Sequence, residues 1–519
     1  MEKMDFQLVQ TSIPWLAPRP LTILGAVTPP LCYYLALLLL PPFLPSTADK
    51  VTQPAQSSSS GSFAICVLRC ILAFWSFLTF LVLPFRYYVP VSSAFTYQLG
   101  LIGWYGAGRV FELFVLVPLL PLHPPTHMRY QSDSPPISPT TPTSTLLDES
   151  DPPARIFKDM DTSPQNTDDA AVKGWWERTV WALDLVTAMG GVGWDWATAD
   201  VRHTPLRWHP SPSTQPYRLL TSLLPLLFLS LAGLRYLHPQ PSESIFDLPI
   251  LTRAAFVACL GIALYTLFDV AYTAAAFIVG LIVHCMDLHK RKIVYNSLLS
   301  FPPLYMHPLM EVCSLRDFWS RGWHRLFARY FLVYGVWPGH VLALAIQRMF
   351  CPSLPTTPLR SEPRIACDAQ SCHGPSTSPS KPAHPYIHTS RYPRRTTTLS
   401  AQSGGEWGKV LGAFAISGVI HSIGDRNALV HFTPQGWTYA GEFWFFVLNG
   451  VGVVIELEVR RVVKEMRKKR GGETERWYDA YVGKVWTFGA LLATGTLFAD
   501  GWVRSGIIWE MTGGHVWRR

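Results

Sequence analysis

The chain has 519 residues, of which 49% are hydrophobic and only 15% are charged. A soluble globular domain usually carries about 25% charged residues, so this composition argues against one. The formal net charge of +9 would suit a nucleic-acid binder. The basic residues, however, cluster at the ends of apolar runs, as they do in the cytoplasmic loops of membrane proteins. We therefore expect membrane lipid and no nucleic acid among the partners.

Apolar runs long enough to cross a bilayer predict about eight to ten transmembrane helices. In chain order the runs are 23–44, 63–84, 97–120, 217–237, 251–287, 328–350, 407–424, 439–457 and 484–503. The run 251–287 could hold two helices broken near Asp269, and the run 407–424 is short. A basic stretch between Arg460 and Arg470 follows the run 439–457 and should face the cytoplasm. The predicted fold class is an all-α polytopic membrane protein.

Polar segments rich in Ser, Pro and Thr divide the chain into parts. Such segments cannot bury enough apolar area to offset the cost of ordering, so we expect them to be disordered or loose. The division is N-terminal transmembrane helices (1–127), a low-complexity insertion (128–172), a first core part (173–351), a second insertion (352–406) and a second core part (407–519).

The apolar run 407–424 ends in the polar residue His421. Ionisable groups within a membrane span are costly and mark functional sites, and imidazole can act as a general base near neutral pH. The alternative is an interfacial histidine that faces lipid headgroups. Ser417 and Gly418 lie one turn earlier on the same helix face, where small residues permit close packing of helices. Asp425 follows one turn later and is a candidate to orient His421.

A second unusual segment, 314–325, combines charge with tryptophan beside an apolar run. If it is helical, Trp319 and Trp323 share one face, with His324 beside them. Guanidinium groups bind phosphate bidentately, which makes the three arginines of this segment candidates for a phosphorylated ligand. The alternative is an amphipathic interfacial helix with an aromatic belt. These arginines are Arg316, Arg321 and Arg325.

Three further patterns favour structural readings. The glycines of Gly190 to Trp196 lack the spacing of a dinucleotide loop, and we interpret them as a tight turn at the membrane surface with Trp anchors. Arg109 and Glu112 are three apart in an apolar run, which favours an ion pair. His284, Asp287 and His289 sit at a span end, and we expect no metal site there.

Four sequence blocks resemble the wax synthase-like branch of the membrane-bound O-acyltransferases, in its fungal form. They are Pro302 to Tyr305 followed by Ser314 to Trp319 and Trp323–His324, then Phe414 to His421, Gly191 to Trp196, and Phe443 to Glu456. An arginine that precedes the glycines in the family is missing here. At the position of His324, more distant members often have Asn or Asp.

The resemblance implies a reaction in which a buried histidine deprotonates a hydroxyl that then attacks the thioester of acyl-CoA. It implies His421 and His324 as catalytic residues and, as substrate- or CoA-binding residues, Arg316, Asp317, Trp319, Arg321, Trp323, Arg325 and Ser417. No bound cofactor is expected; acyl-CoA, in our prediction acetyl-CoA, is the co-substrate.

The expected acceptor is a lipophilic alcohol of terpenoid or meroterpenoid type from secondary metabolism, and the expected location is the endoplasmic reticulum. One alternative is a long-chain wax ester synthase that acts on fatty alcohols. An alternative of another class is a polytopic transporter, although transporters often show repeated halves and the sequence shows none. The sequence leaves the oligomeric state open.

Overall fold

The computed structural model describes thirteen parts of the chain. These are residues 17–40, 60–120, 125, 175–192, 194, 196, 214–239, 244–285, 303–305, 308–350, 403–430, 439–471 and 476–514. The described residues form helices almost throughout, and six of these helices are long and apolar enough to cross a membrane. The protein is therefore an all-α polytopic membrane protein, as the sequence predicts. Both predicted insertions lie outside the described residues, except that 403–406 already belong to a helix.

The described residues of the N-terminal half form six main helices. Their bounds are α1 (Ile23–Leu38), α2 (Ser60–Arg86), α3 (Ser93–Leu119, with a π-helical turn at Glu112–Leu116), α4 (Trp175–Thr187), α5 (Pro216–Leu237, with a π-helical turn at Leu219–Leu223) and α6 (Ile250–Cys285). Two strands of two residues each pair in parallel: Arg19–Pro20, which precedes α1, and Tyr87–Tyr88, which follows α2.

In the C-terminal half, the part of the chain that the structure describes forms five more. These are α7 (Ala328–Phe350, with a π-helical turn at Leu332–Val336), α8 (Ser403–Val430), α9 (Gly441–Lys469), α10 (Trp477–Arg504) and α11 (Ile507–Met511). Short turns of helix precede α6 and α7, at Ile245–Asp247, Leu309–Glu311, Leu315–Asp317 and Phe318–Gly322. Helix α8 lies at the centre and packs against α3, α7 and α9.

Two helix predictions need correction. Within the run 251–287, the described residues belong to one continuous helix, α6 (Ile250–Cys285), without a break at Asp269. The Asp269 carboxylate is 2% exposed and pairs with Arg218 of α5, so a partner from another helix makes a break unnecessary. The run 407–424, predicted to be short, belongs to the 28-residue helix α8, which continues through the polar cluster to Val430.

Helices α7 and α8 cross at glycines. A Cβ atom on Gly339 would lie 2.2 Å from the carbonyl oxygen of Gly408, far inside van der Waals contact. Small residues of this kind let two backbones approach closely, which is a common mode of helix association in membranes. The close crossing holds α8, and with it His421, against the wall formed by α7.

The glycine-rich turn near residue 191 has a different setting from the one predicted. Gly191 adopts a φ of +78°, which suits glycine, and a side chain there would collide with the Trp196 ring. Trp194 and Trp196 are 0% and 7% exposed and belong to a buried cluster with α1, α2 and α3. The interpretation of these tryptophans as surface anchors is therefore wrong, because both rings fill the interior of the bundle.

Candidate active site

His421 lies inside the bundle where α8 crosses α3. Its Nδ1 atom is 2.8 Å from the hydroxyl oxygen of Tyr97, which stands on the second turn of α3. The ring is half-buried, whereas Tyr97 is only 2% exposed. The histidine therefore remains partly accessible even though one of its nitrogens is held by protein. The other nitrogen, Nε2, makes no hydrogen bond to any described residue.

A buried carboxylate lies behind Tyr97. Glu442 is 0% exposed, and the Tyr97 hydroxyl lies 3.2 Å from its Oε1 and 3.1 Å from its Oε2. The indole Nε1–H of Trp502 on α10 donates to Oε1 at 2.6 Å. Glu442 is also the second residue of α9, and the N-terminal end of a helix dipole stabilises negative charge. Glu442, Tyr97 and His421 thus form one hydrogen-bonded chain drawn from three helices.

Aromatic rings cover the imidazole. Phe446, one turn after Glu442 on α9, stacks on the His421 ring with centroids 4.5 Å apart and planes inclined by 27°. Phe498 of α10 lies at 6.4 Å on another side. The Trp319 ring packs against Phe446 at 5.7 Å. Through Phe446, the segment 314–325 and the His421 helix become parts of one site.

The start of the segment 314–325 is held by hydrogen bonds to α9. Ser314 caps the short helix Leu315–Asp317, because its hydroxyl accepts the Asp317 N–H at 2.9 Å. The N–H of Leu315 donates to the buried carboxylate of Glu456 at 2.7 Å. The Trp319 indole N–H donates to Asn449 Oδ1 at 3.2 Å. Together these contacts fix the position of Trp319 relative to α9.

The rings of Trp319 and Trp323 lie with centroids 6.2 Å apart, although the helix on which they were predicted to share one face ends before Trp323. Trp323 itself follows the π-helical turn Phe318–Gly322 and has an extended backbone. Its ring lies 6.3 Å from Tyr305 and 6.3 Å from Phe268 of α6. Tyr305 and Trp323, which belong to separate blocks of the sequence, therefore lie next to each other.

His324 extends the site from Trp323 towards Phe268 and Phe327. Its ring lies 4.7 Å from Phe268, and its buried Nδ1 atom has no hydrogen-bond partner. Burial lowers the pKa of His324, which precedes the span α7, to about 4, so its imidazole is neutral at pH 7. The two imidazoles are close enough to interact electrostatically. An unpaired polar atom in an aromatic setting is costly unless a ligand supplies its partner.

The remaining predicted binding residues lie nearer the outside. Arg316 and Arg321 are exposed, while Arg325 and Asp317 are half-buried. Arg325 donates through Nη2 to the carbonyl oxygen of Ser320. These four flank the aromatic site and do not contact His421, so their predicted role in binding CoA stays a prediction.

Ser417 and Gly418 occupy the face of α8 that meets other helices. Ser417 is 6% exposed and stands one turn before His421. Gly418 lies against the backbone of Phe443 at the start of α9. These positions agree with the packing interpretation of the two small residues, and the role of Ser417 in substrate binding stays a prediction.

Asp425 does not orient His421. Both of its carboxyl oxygens are buried and accept no hydrogen bond, and the residue is 1% exposed. Tyr97 holds the histidine instead, from another helix. The predicted spacing of one turn placed Asp425 near enough, but its side chain takes no part in the hydrogen-bonded chain.

Sequence reasoning missed Tyr97, Glu442 and Trp502. Glu442 carried a usable signal, since a carboxylate stands directly before the aromatic run 443–446 at the start of an apolar span. Tyr97 and Trp502 carried none, because tyrosine and tryptophan are common in this chain and usually mark interfaces. Among the described residues, no three His, Cys, Asp or Glu side chains lie close enough to hold a metal ion. His284, Asp287 and His289 lie outside the described side chains.

Comparison with known proteins adds sequence relatives. The O-Mevalon transferase yanI of Aspergillus niger is 27% identical over 180 residues, covering 33% of this chain and 38% of that protein. The Acetyltransferase ple2 of Rhodocybe pseudopiperita is 24% identical over 315 residues, covering 60% of this chain and 63% of that protein. The chain thus spans less than two thirds of the length of these curated relatives. No solved structure matches it significantly.

A family model matches at the site itself. Residues 301–351 match the membrane bound O-acyl transferase family. This range contains Tyr305, Trp319, Trp323 and His324, the residues that form one half of the site around His421. The resemblance predicted from the sequence is thereby confirmed: the chain is similar to the membrane-bound O-acyltransferases, and its similarity extends to two fungal transferases.

Proposed function

We propose that this protein is a membrane-bound O-acyltransferase that moves an acyl group from acyl-CoA to the hydroxyl of a lipophilic alcohol. The observation that carries the proposal is the chain from Glu442 through Tyr97 to His421, which ends beside the half-buried face of the imidazole. A buried histidine with one nitrogen held by protein and the other unpaired suits a general base.

The hydrogen bonds favour one tautomer. When the Tyr97 hydroxyl donates to the Glu442 carboxylate, its oxygen accepts a proton from His421 Nδ1–H. The proton then resides on Nδ1, and Nε2 carries the lone pair. A carboxylate that orients a histidine through a hydrogen bond plays this part in many hydrolases and transferases, where it also stabilises the imidazolium that forms. Here Tyr97 lies between the two groups.

The reaction follows in two steps. Nε2 of His421 takes the proton of the acceptor hydroxyl while the oxygen of that hydroxyl forms a bond to the carbonyl carbon of the thioester. The tetrahedral intermediate then collapses, the bond from carbon to sulfur breaks, and the imidazolium returns the proton to the departing CoA thiolate. General-base catalysis of this kind contributes about 10²- to 10⁴-fold. Burial excludes water, which would otherwise compete for the thioester.

The neutral imidazole of His324 is placed to assist on the donor side. Its unpaired nitrogen can donate a hydrogen bond to the thioester carbonyl oxygen, where negative charge develops. The exposed Arg316 and Arg321 flank this side of the site and can contact phosphate groups of CoA. The lipophilic acceptor can enter from lipid, between the apolar faces of the spans.

We propose acetyl as the acyl group and a terpenoid or meroterpenoid alcohol as the acceptor, in the endoplasmic reticulum. Similarity to an acetyltransferase and to an O-mevalon transferase of fungi supports a short acyl group over a long one. The assay should therefore offer acetyl-CoA, a 3-hydroxyacyl-CoA and a long-chain acyl-CoA, each with hydroxylated terpenoids and with fatty alcohols.

The direct test is His421→Ala in the full chain, purified in detergent and supplied with radiolabelled donors. We expect transfer to fall by about 10²- to 10⁴-fold, because the general base is lost. His324→Ala should also lose a large part of the activity. His340→Gln is a matched control, because His340 lies in α7 and its Nδ1 contacts the Gly405 carbonyl oxygen, away from Tyr97.

Other outcomes point to other functions. Esters formed from long-chain donors and fatty alcohols would support a wax ester synthase instead. No ester from any pair, with folded protein, would favour a transporter. Near-normal turnover by the folded His421→Ala protein would overturn the assignment of the general base.

A further inference from the structure

A second group of buried polar side chains lies away from His421, between α1, α3, α7 and the turn before Trp196. Arg109, 3% exposed, donates through Nη1 to Glu112 Oε2 at 2.6 Å. The other oxygen of Glu112 accepts from Arg329 Nε at 2.5 Å. Both oxygens of Glu112 are thus used, and Arg109 Nη2 is left buried without a partner.

Two more buried donors beside Arg109 lack partners. The Tyr33 hydroxyl, on a residue 4% exposed, is close enough to the Arg109 guanidinium to interact with its charge. The Trp196 ring lies 5.9 Å from that guanidinium, and its Nε1 has no partner either. Arginine and tryptophan N–H groups can only donate, and the tyrosine hydroxyl can donate as well. The Arg109 guanidinium, with its unpaired Nη2 and the two donors beside it, matches a ligand that only accepts, an anionic oxygen group.

The location of this group relates it to the candidate active site. Arg109 and Tyr97 lie twelve residues apart on α3, about 18 Å at 1.5 Å per residue. The carbonyl oxygen of Gly108 accepts a hydrogen bond from the hydroxyl of Tyr334 in α7. Five residues further along α7, Gly339 packs against Gly408 of α8. Arg109 therefore lies beside the first half of α8.

The first half of α8 meets the basic end of α9. The Trp407 indole donates to Glu458 at 2.9 Å, just before the basic stretch that runs from Arg460 to Arg470. Such a stretch is expected at the cytoplasmic surface. Arg109 thus lies between His421 and the side of the membrane from which a water-soluble polyanion would arrive.

We propose that Arg109, with Tyr33 and Trp196, binds a phosphoryl group. The group belongs either to the acyl-CoA donor, in which case the inference rests on the proposed function, or to a membrane phospholipid. The bound oxygens supply the acceptors that Arg109 Nη2, the Tyr33 hydroxyl and the Trp196 indole lack in the protein.

The sharpest variant is Tyr33→Phe in the full chain. A hydroxyl that is buried and unpaired costs stability, so its removal leaves the fold intact or more stable. If Tyr33 donates to a phosphoryl oxygen, the same change weakens binding by about tenfold, the usual worth of a hydrogen bond to a charged group. Arg109→Lys keeps the charge but removes the guanidinium fork and should weaken binding further. Tyr236→Phe and Arg461→Lys are matched exposed controls.

Binding is measured on purified protein in lipid nanodiscs with CoA, with pantetheine, which lacks phosphate, and, in detergent, with phosphatidic acid. If the phosphoryl group belongs to CoA, the variants bind CoA more weakly than wild type does and bind pantetheine as well as wild type does. For a lipid site, CoA binding is unchanged and the thermal stabilisation by phosphatidic acid falls. Equal binding of both probes by wild type and variants overturns the inference. If the wild-type protein binds no CoA, the proposed function fails. The thermal stabilisation by phosphatidic acid still tests whether Arg109, Tyr33 and Trp196 bind a phosphoryl group.

Discussion

Helix α3 carries two buried polar centres that differ in kind. At Tyr97, hydrogen bonds link a carboxylate to a half-buried imidazole and leave its other ring nitrogen unpaired. At Arg109, a carboxylate is bound between two arginines, and the unpaired atoms are donors. The first centre offers a lone pair and suits proton abstraction. The second offers N–H and O–H groups and suits an anion.

The comparison also predicts different costs of mutation. An ion pair in a low-dielectric interior leaves an uncompensated charge when one partner is removed, which is strongly destabilising. Deleting the Tyr97 hydroxyl takes one donor from Glu442, but the Trp502 N–H still donates to that carboxylate, so the cost in stability should be smaller than at Glu112. Damage at Glu112 should therefore appear as lost folding, and damage at Tyr97 as lost turnover.

The largest effect sharpens this contrast at the Arg109 centre. Glu112→Gln removes the carboxylate shared by Arg109 and Arg329, and we expect a loss of about 3–5 kcal/mol in unfolding free energy. The readout is thermal unfolding and the yield of monodisperse protein in detergent. Glu406→Gln is the matched control, since the exposed pair of Glu406 with Lys409 should contribute at most about 1 kcal/mol. Equal stability of the two variants would mean that the buried pair contributes no more than the exposed one.

An intermediate effect is expected at the other centre. Tyr97→Phe keeps the ring that packs on Trp502 at 5.2 Å but deletes the link between Glu442 and His421. Because a hydrogen bond to a charged group contributes about 1.5–3 kcal/mol, kcat should fall by about 10- to 100-fold. The melting temperature should fall less than that of Glu112→Gln, because the Trp502 N–H still donates to Glu442. A variant with unchanged kcat would show that Glu442 does not act on His421 through Tyr97.

The smallest effect is expected for Asp425→Asn. Asp425 lies one turn from His421, yet its oxygens accept no hydrogen bond, so turnover should not change beyond assay error. Removing a buried carboxyl group without partners should leave stability unchanged or raise it. A large loss of turnover in the folded variant would return Asp425 to the site and weaken the contrast between the two centres.

Part of the site could be predicted from the sequence alone. His421 stood out because an ionisable residue within an apolar helix is costly, and the same rule predicted the pair of Arg109 with Glu112, which the structure confirms. Tyr97 could not be found this way. It lies 324 residues from His421, and its hydroxyl has no distinguishing local pattern.

The tryptophans show the same limit. The sequence predicted that Trp319 and Trp323 share one face if their segment is helical; the helix ends before Trp323, yet the two rings lie 6.2 Å apart. The same residue type near Gly191 was expected at the membrane surface, but Trp194 and Trp196 are buried. Spacing determines which residues of one segment are neighbours. It does not determine which face of that segment another helix covers.

The amino-acid sequence by itself determined the membrane class, most helix positions and the histidine at 421, because apolar length and the cost of buried charge are local properties. Only the tertiary structure decided that Glu442 reaches His421 through Tyr97 and that three unpaired donors gather at Arg109. Those arrangements depend on how α1, α3, α8 and α9 approach one another, and close packing between distant segments leaves no periodic trace in any one of them.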